Sequence, residues 1–135
     1  MKDAHQIVRI TGGRIALTNT SPIPDAEVID AIRFVARQVD MDGVVVHVKK
    51  CGERRRTYGR AYPSIPRIAN MQGLKRVQWR YLIVVTDGRG KNWIETLAHE
   101  AKHVEQYRER LRRSEVACRV FQKRIATAWF AEQTT

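Results

Sequence analysis

Residues 77–104, VQWRYLIVVTDGRGKNWIETLAHEAKHV, decide how this chain is read. Val77 to Thr86 is rich in β-branched and aromatic residues and predicts a strand at the centre of a sheet. Asp87-Gly88-Arg89-Gly90 is a turn, and Asn92 with Glu95 three positions later has the form of a capping box opening a helix. Trp93, Leu97, Ala101 and Val104 then recur at helical spacing as an apolar stripe. The stretch therefore predicts strand, turn and amphipathic helix.

Toward the N-terminus, Val44 to Val48 (VVVHV) follows the Asp42-Gly43 turn and is too short for a helix, so it predicts a second strand. Pro22 and Pro24 lead into a run in which Val28, Ile29, Ile32, Val35, Ala36 and Val39 share one helical face, predicting a helix from Asp25 to about Asp40. Gln6 to Ile10 reads as a short strand, with Gly12-Gly13 turning the chain toward Arg14 to Leu17, and residues 1–20 are taken as an N-terminal strand or arm. Cys51 to Arg56 reads as a basic loop. Between Tyr58 and Asn70, Pro63 and Pro66 cannot donate to a central ladder, so a strand there lies at a sheet edge.

Toward the C-terminus, Glu115 to Ala131 predicts a further helix on Val116, Val120, Ile125 and Ala128. One unbroken helix from Asn92 to Ala131 would be ~60 Å long, too long for a domain of this size, so the chain must turn. Ser114 is the best N-cap available between His103 and Val116, which places the turn at Leu111 to Arg113. The fold class expected is α+β in a single domain, residues 1–135: an N-terminal helix, a small, mainly three-stranded sheet with an exposed edge strand, and two C-terminal helices.

The composition narrows the function classes. At 43% hydrophobic residues the chain can build a core, which excludes a disordered or collagen-like protein. No apolar run approaches the ~18 residues of a bilayer span, and no signal-type stretch follows Met1, so the default location is cytoplasmic and no membrane partner is expected. Cys51 and Cys118 have no CxxC spacing and fit free thiols in a reducing compartment. Twenty-five Lys and Arg against 14 Asp and Glu give a net charge of +11. The basic residues concentrate at Lys49, Lys50, Arg54, Arg55 and Arg56, and again from Arg108 to Arg113, without a recognisable nucleic-acid-reading motif. Any nucleic-acid contact, carried by Lys49, Lys50 and Arg54 to Arg56, is expected to be weak, sequence-independent and salt-sensitive.

The chemistry lies in His99-Glu100-Ala101-Lys102-His103, an HExxH pattern. Histidines four apart on a helix share a face, so both imidazoles can reach one Zn²⁺ while the intervening glutamate sits where it can act on a water at the metal. On a helical wheel the two histidines lie nearly opposite the apolar stripe, with Glu100 between the two faces. One face is expected on the sheet and the other toward a cleft.

On this motif and the run from Ile94 to Phe121, the chain resembles the zincin metallopeptidases of the minimal gluzincin type. The resemblance implies a zincin-like fold and a zinc metalloendopeptidase holding one Zn²⁺ per chain. It makes His99 and His103 ligands, Glu100 the general base and Glu115, on the next helix, the third ligand. Glu105 and Glu109 are the weaker alternatives, Glu105 projecting toward the apolar side and Glu109 toward neither histidine. Gln106 stands where metzincins carry a turning glycine, and no third histidine follows His103 as those and SprT-like proteases require. Arg119 stands where large gluzincins place an aspartate. Tyr62, Tyr107 and His47 are the candidates for contacts to substrate or transition state. A peptide or protein substrate would add to the edge strand around Tyr58 to Ile68. The alternative readings are a basic nucleic-acid-associated protein and a SprT-like protease acting on nucleoprotein.

Overall fold

Val44 to Val48 is buried on both faces because both are covered, and its residues are apolar except His47. Val44, Val46 and Val48 join a large core with the helices, whereas Val45 joins a smaller cluster with Ala16, Trp79 and Leu82 on the opposite side. A near-continuous apolar run of this kind is what an interior strand with parallel neighbours requires. The computed structural model, which describes residues 5–52, 59–88 and 93–133, puts this strand in the middle of a mixed sheet.

Among the described residues, five strands and three helices make an α+β fold. In chain order they are β1 (Gln6–Ile10), β2 (Gly13–Asn19), α1 (Asp25–Ala36), β3 (Val44–Lys49), β4 (Gly59–Tyr62), β5 (Tyr81–Thr86), α2 (Trp93–Arg108) and α3 (Glu115–Gln133). The sheet order is β1-β2-β3-β5-β4. The two inner pairings, β2 with β3 and β3 with β5, are parallel, and the two outer strands run antiparallel to their neighbours.

The sheet is thus wider than the three strands expected. Residues 5–20 form a hairpin rather than an arm, turning at Gly12, whose φ of 82° suits glycine. Ile15 and Leu17 drop into the helix-side core while Ala16 faces the other way, an alternation too short to stand out in sequence. Three further boundaries shift. Helix α1 ends at Ala36, with Gln38 and Val39 bonding back to Val35 in a closing turn. The predicted strand from Val77 begins only at Tyr81, because Arg76–Gln78 forms a single 3-10 turn that leaves Val77 exposed and delivers Trp79 into the far-side cluster. β5 is interior, between β3 and β4, but β3 holds the centre. The expected capping residue Asn92 and the basic residues 54–56 lie outside the described residues.

The predicted turn before Glu115 is present, and its mechanism is clear. Helix α2 closes with a Leu111 N–H to Gln106 C=O bond of 2.8 Å and an Arg110 N–H to Tyr107 C=O bond of 3.2 Å. Arg110 sits at φ 56°, in the left-handed position usually given to glycine. Helix α3 then starts at a capping serine, the Ser114 hydroxyl accepting the Ala117 N–H at 3.1 Å. All three helices pack on one face of the sheet, while residues 63–79 cover part of the other through Ile65, Ala69, Met71, Leu74 and Trp79.

Candidate metal centre

The centre is built where α3 folds back along α2. Leu97, Ala98, Ala101 and Val104 anchor α2 in the core, and that anchoring turns His99 and His103 toward α3 rather than toward an open cleft. Glu115, in the first turn of α3, meets both. Its Oε2 is 2.9 Å from His99 Nε2 and its Oε1 is 2.9 Å from His103 Nε2. His103 is 1% exposed, whereas Glu115 is half-open to solvent, so solvent reaches the group from the Glu115 side.

Each imidazole is oriented from behind by a glutamine. His103 Nδ1 lies 3.0 Å from Gln106 Oε1. The backbone of Ser114 settles which way that carboxamide points, since Gln106 Nε2 donates to the Ser114 carbonyl at 3.2 Å and Oε1 accepts the Ser114 N–H at 3.3 Å. Gln106 Oε1 can therefore only accept, the hydrogen is on His103 Nδ1, and Nε2 of the neutral ring carries a bare lone pair. That Nε2 is buried and makes no hydrogen bond, although a carboxylate oxygen is 2.9 Å away. A lone pair facing a carboxylate is repulsive unless something positive sits between them. Burial holds the His103 imidazole below its ordinary range, outweighing the opposite pull of Gln106 and Glu115, so a proton is poorly placed to fill that role. His99 also has a glutamine behind it, Nδ1 lying 2.6 Å from Gln122 Oε1, but its Nε2 is hydrogen-bonded to Glu115 Oε2 at 2.9 Å.

Burial raises the Glu115 carboxyl, but the two imidazoles and Arg113 outweigh it and hold the group below the usual carboxylate range. Glu115 thus stays anionic. Helix geometry also brings in a residue the sequence reading left aside. Cys118 follows Glu115 by three positions, on the same face of α3, and one donor atom from each of His99, His103 and Cys118 lies within 4.8 Å of the others. This trio can hold a metal ion. Burial, with Glu115 and Glu100 adding to it, pushes the Cys118 thiol up to about 11, so it is protonated at neutral pH. Both cysteines are free thiols, as expected.

Glu100 lies beneath β4, fully within the fold rather than between faces. It accepts the Ala61 N–H, and burial, reinforced by Glu115, raises its carboxyl to about 7 against the lowering influence of His99, Arg113 and that N–H. Gly59 makes this approach of strand and helix feasible: a Cβ there would stand 2.5 Å from Thr96 Cγ2 and 3.1 Å from the Glu100 side chain. Across the chain, no family model, curated protein or solved structure matches.

Of the three candidates for substrate contacts, only Tyr107 is brought near. Its ring stacks on His103, centroids 6.3 Å apart, and its hydroxyl donates to the Ala61 carbonyl at 3.5 Å. Tyr62 and His47 are on the far face of the sheet, because strand alternation sets them with Val45 and Leu82, and the sheet stands between them and α2. Glu105 pairs with Lys102, and Glu109 is exposed past the end of α2, so neither joins the histidines. Lys49 and Lys50 are exposed. In the second basic cluster, Arg108 is used structurally, its guanidinium 4.9 Å over the Tyr81 ring and bonded to the Asp42 carbonyl.

Proposed function

We propose that this protein is a zinc-dependent metallopeptidase, with His99, His103 and Glu115 as ligands and Glu100 as general base. The observation that carries the reading is the buried, unpartnered Nε2 of His103, whose tautomer Gln106 and Ser114 set and whose lone pair faces an anionic Glu115. Two imidazoles and one carboxylate are a donor set suited to zinc, which leaves a fourth position open. A glutamine that fixes a ligand's tautomer, as Gln106 does for His103, belongs to the expected second layer of such a site. Zinc bound there supplies a Lewis acid and lowers the pKa of water toward ~7.

The remaining chemistry belongs to the chain. Glu100, raised to about 7 by burial, is poised to take a proton from the attacking water and return it to the departing amine. Strand β4 is the sheet edge beside α2, where Glu100 holds the Ala61 N–H and the 3.5 Å bond from Tyr107 leaves the Ala61 carbonyl weakly engaged. A peptide lying along β4 as an added strand exchanges that contact for one of its own amides, which gives backbone affinity with little sequence preference. Tyr107 is then freed beside His103.

Two measurements test the reading together. Elemental analysis should find about one zinc per chain, lost in His99→Ala and His103→Ala. Glu100→Gln should keep the zinc and the fold while cleavage of a casein-type substrate falls by at least ~100-fold. Zinc content unchanged in both histidine variants would overturn the ligand assignment. Full activity in Glu100→Gln would overturn the mechanism.

A further inference from the structure

The far face of the sheet carries a cavity of about 580 Å³ that the metal centre does not use. Its floor is apolar, from Leu82 and Val84 of β5, and Ile68, itself exposed, stands at its rim. His47 of β3 lines it, is 7% exposed, and its Nε2 is buried with no hydrogen-bond partner. An unpartnered buried ring nitrogen is costly, so native folds keep one where something outside the chain satisfies it.

The walls are held in place before any ligand arrives. His5, which is not itself a lining residue, stacks on His47 with centroids 5.4 Å apart. Its Nε2 donates to the Asn70 carbonyl at 2.9 Å and its Nδ1 accepts the Thr18 hydroxyl at 2.7 Å, joining β2 to the covering segment. Arg76 ties down the same segment through the carbonyls of Ile65, Pro66 and Arg67 at 3.2–3.3 Å. The cavity is therefore preformed, and its volume falls within the ~300–1,000 Å³ of small-molecule sites.

Charge selects the class of ligand. Among the described residues, no acidic side chain lines the cavity, while the Lys49 ammonium stands at its margin close enough to bias His47 against protonation. Burial keeps His47 neutral, so as its Nε2–H tautomer it offers one donor without adding charge. One ammonium, one neutral donor and an apolar floor match a monoanionic head on a flat apolar body.

We propose that this far-face cavity binds small aromatic or alicyclic carboxylic acids, the carboxylate between Lys49 and His47 Nε2 and the ring on Leu82 and Val84. The site is independent of the metal centre, which lies across the sheet. A direct test is a titration of the ¹⁵N-labelled protein with naphthoate and, separately, with its neutral isostere naphthamide. Naphthoate should give saturable shifts at the His47 ring nitrogens and the Thr18 amide, and bind at least roughly fivefold tighter than naphthamide. His47→Phe, which keeps the stacking on His5, should weaken naphthoate by about fivefold to tenfold, the worth of one hydrogen bond to a charged group. Lys49→Gln, at an exposed position, should erase the preference over naphthamide even if the His47 variant folds poorly. Non-saturating shifts, equal binding of acid and amide, or unchanged affinity in Lys49→Gln would each overturn the proposal.

Discussion

Two buried titratable groups on opposite faces of the sheet should give the stability of this protein opposed pH dependences, and single substitutions should separate them. Burial, helped by the charges of His5 and Lys49, takes His47 from 6.5 down to about 4. Between those values the unfolded chain takes up a proton that the native imidazole refuses. His47's contribution is thus complete above pH 6.5 and drains away as pH falls to about 4. At ~1.36 kcal/mol per pH unit that is on the order of 3 kcal/mol. Glu100 runs the other way. Burial raises it from 4.5 to about 7, so the native state holds the proton longer and the contribution is complete below pH 4.5 and lost as pH rises through about 7. The size is again on the order of 3 kcal/mol. Where the two windows overlap they nearly cancel, with His5 and His103, also held low mainly by burial, adding to the His47 side. The assay is the urea midpoint of chelator-treated protein across this range. His47→Phe should lose stability as pH rises relative to the wild type, and Glu100→Gln should gain it, each by about 1–2 M urea across the overlap. Parallel curves for wild type and His47→Phe would refute the claim that the fold holds this imidazole neutral.

Four further outcomes follow from the site and its supports. Glu115→Ala should weaken zinc binding by orders of magnitude in a competition titration with a chromogenic chelator, whereas Glu109→Ala, at an exposed position beyond α2, should not. Gln106→Leu should cost roughly 10–100-fold in zinc affinity with His99, His103 and Glu115 intact, and Gln106→Glu, which keeps an acceptor for His103 Nδ1, should recover part of it in the same titration. Gly59→Ala should destabilise by ~1–3 kcal/mol in denaturant unfolding and lower peptidase activity, because the added methyl meets Thr96 and displaces Glu100. Arg110→Gly should stabilise by up to ~1 kcal/mol, relieving the left-handed strain that closes α2, and an unchanged or lowered midpoint would show that the strain is absorbed elsewhere.

The local patterns carried a large part of this protein. Helical periodicity located α1, α2 and α3, the valine run located β3, and Pro63 with Pro66 placed β4 at an edge, since each of these is a consequence of neighbouring residues alone. The spacing of His99 and His103 set them on one helical face, and Ser114 marked the start of α3. Distances between elements are another matter. That β1 and β2 extend the sheet to five strands depends on pairing with β3 across an intervening helix, which no local signal encodes. The same holds for Cys118 and Gln122, which reach the histidines only because α3 doubles back, and for Gln106, whose role needs the Ser114 backbone to fix its amide. The stop at Arg110 was hidden because glycine, the usual marker, is absent there. His47 and Tyr62 were misplaced for one reason: a strand shows which residues alternate, but only the packing of helices on one side of the sheet decides which alternate set faces the metal centre and which faces away.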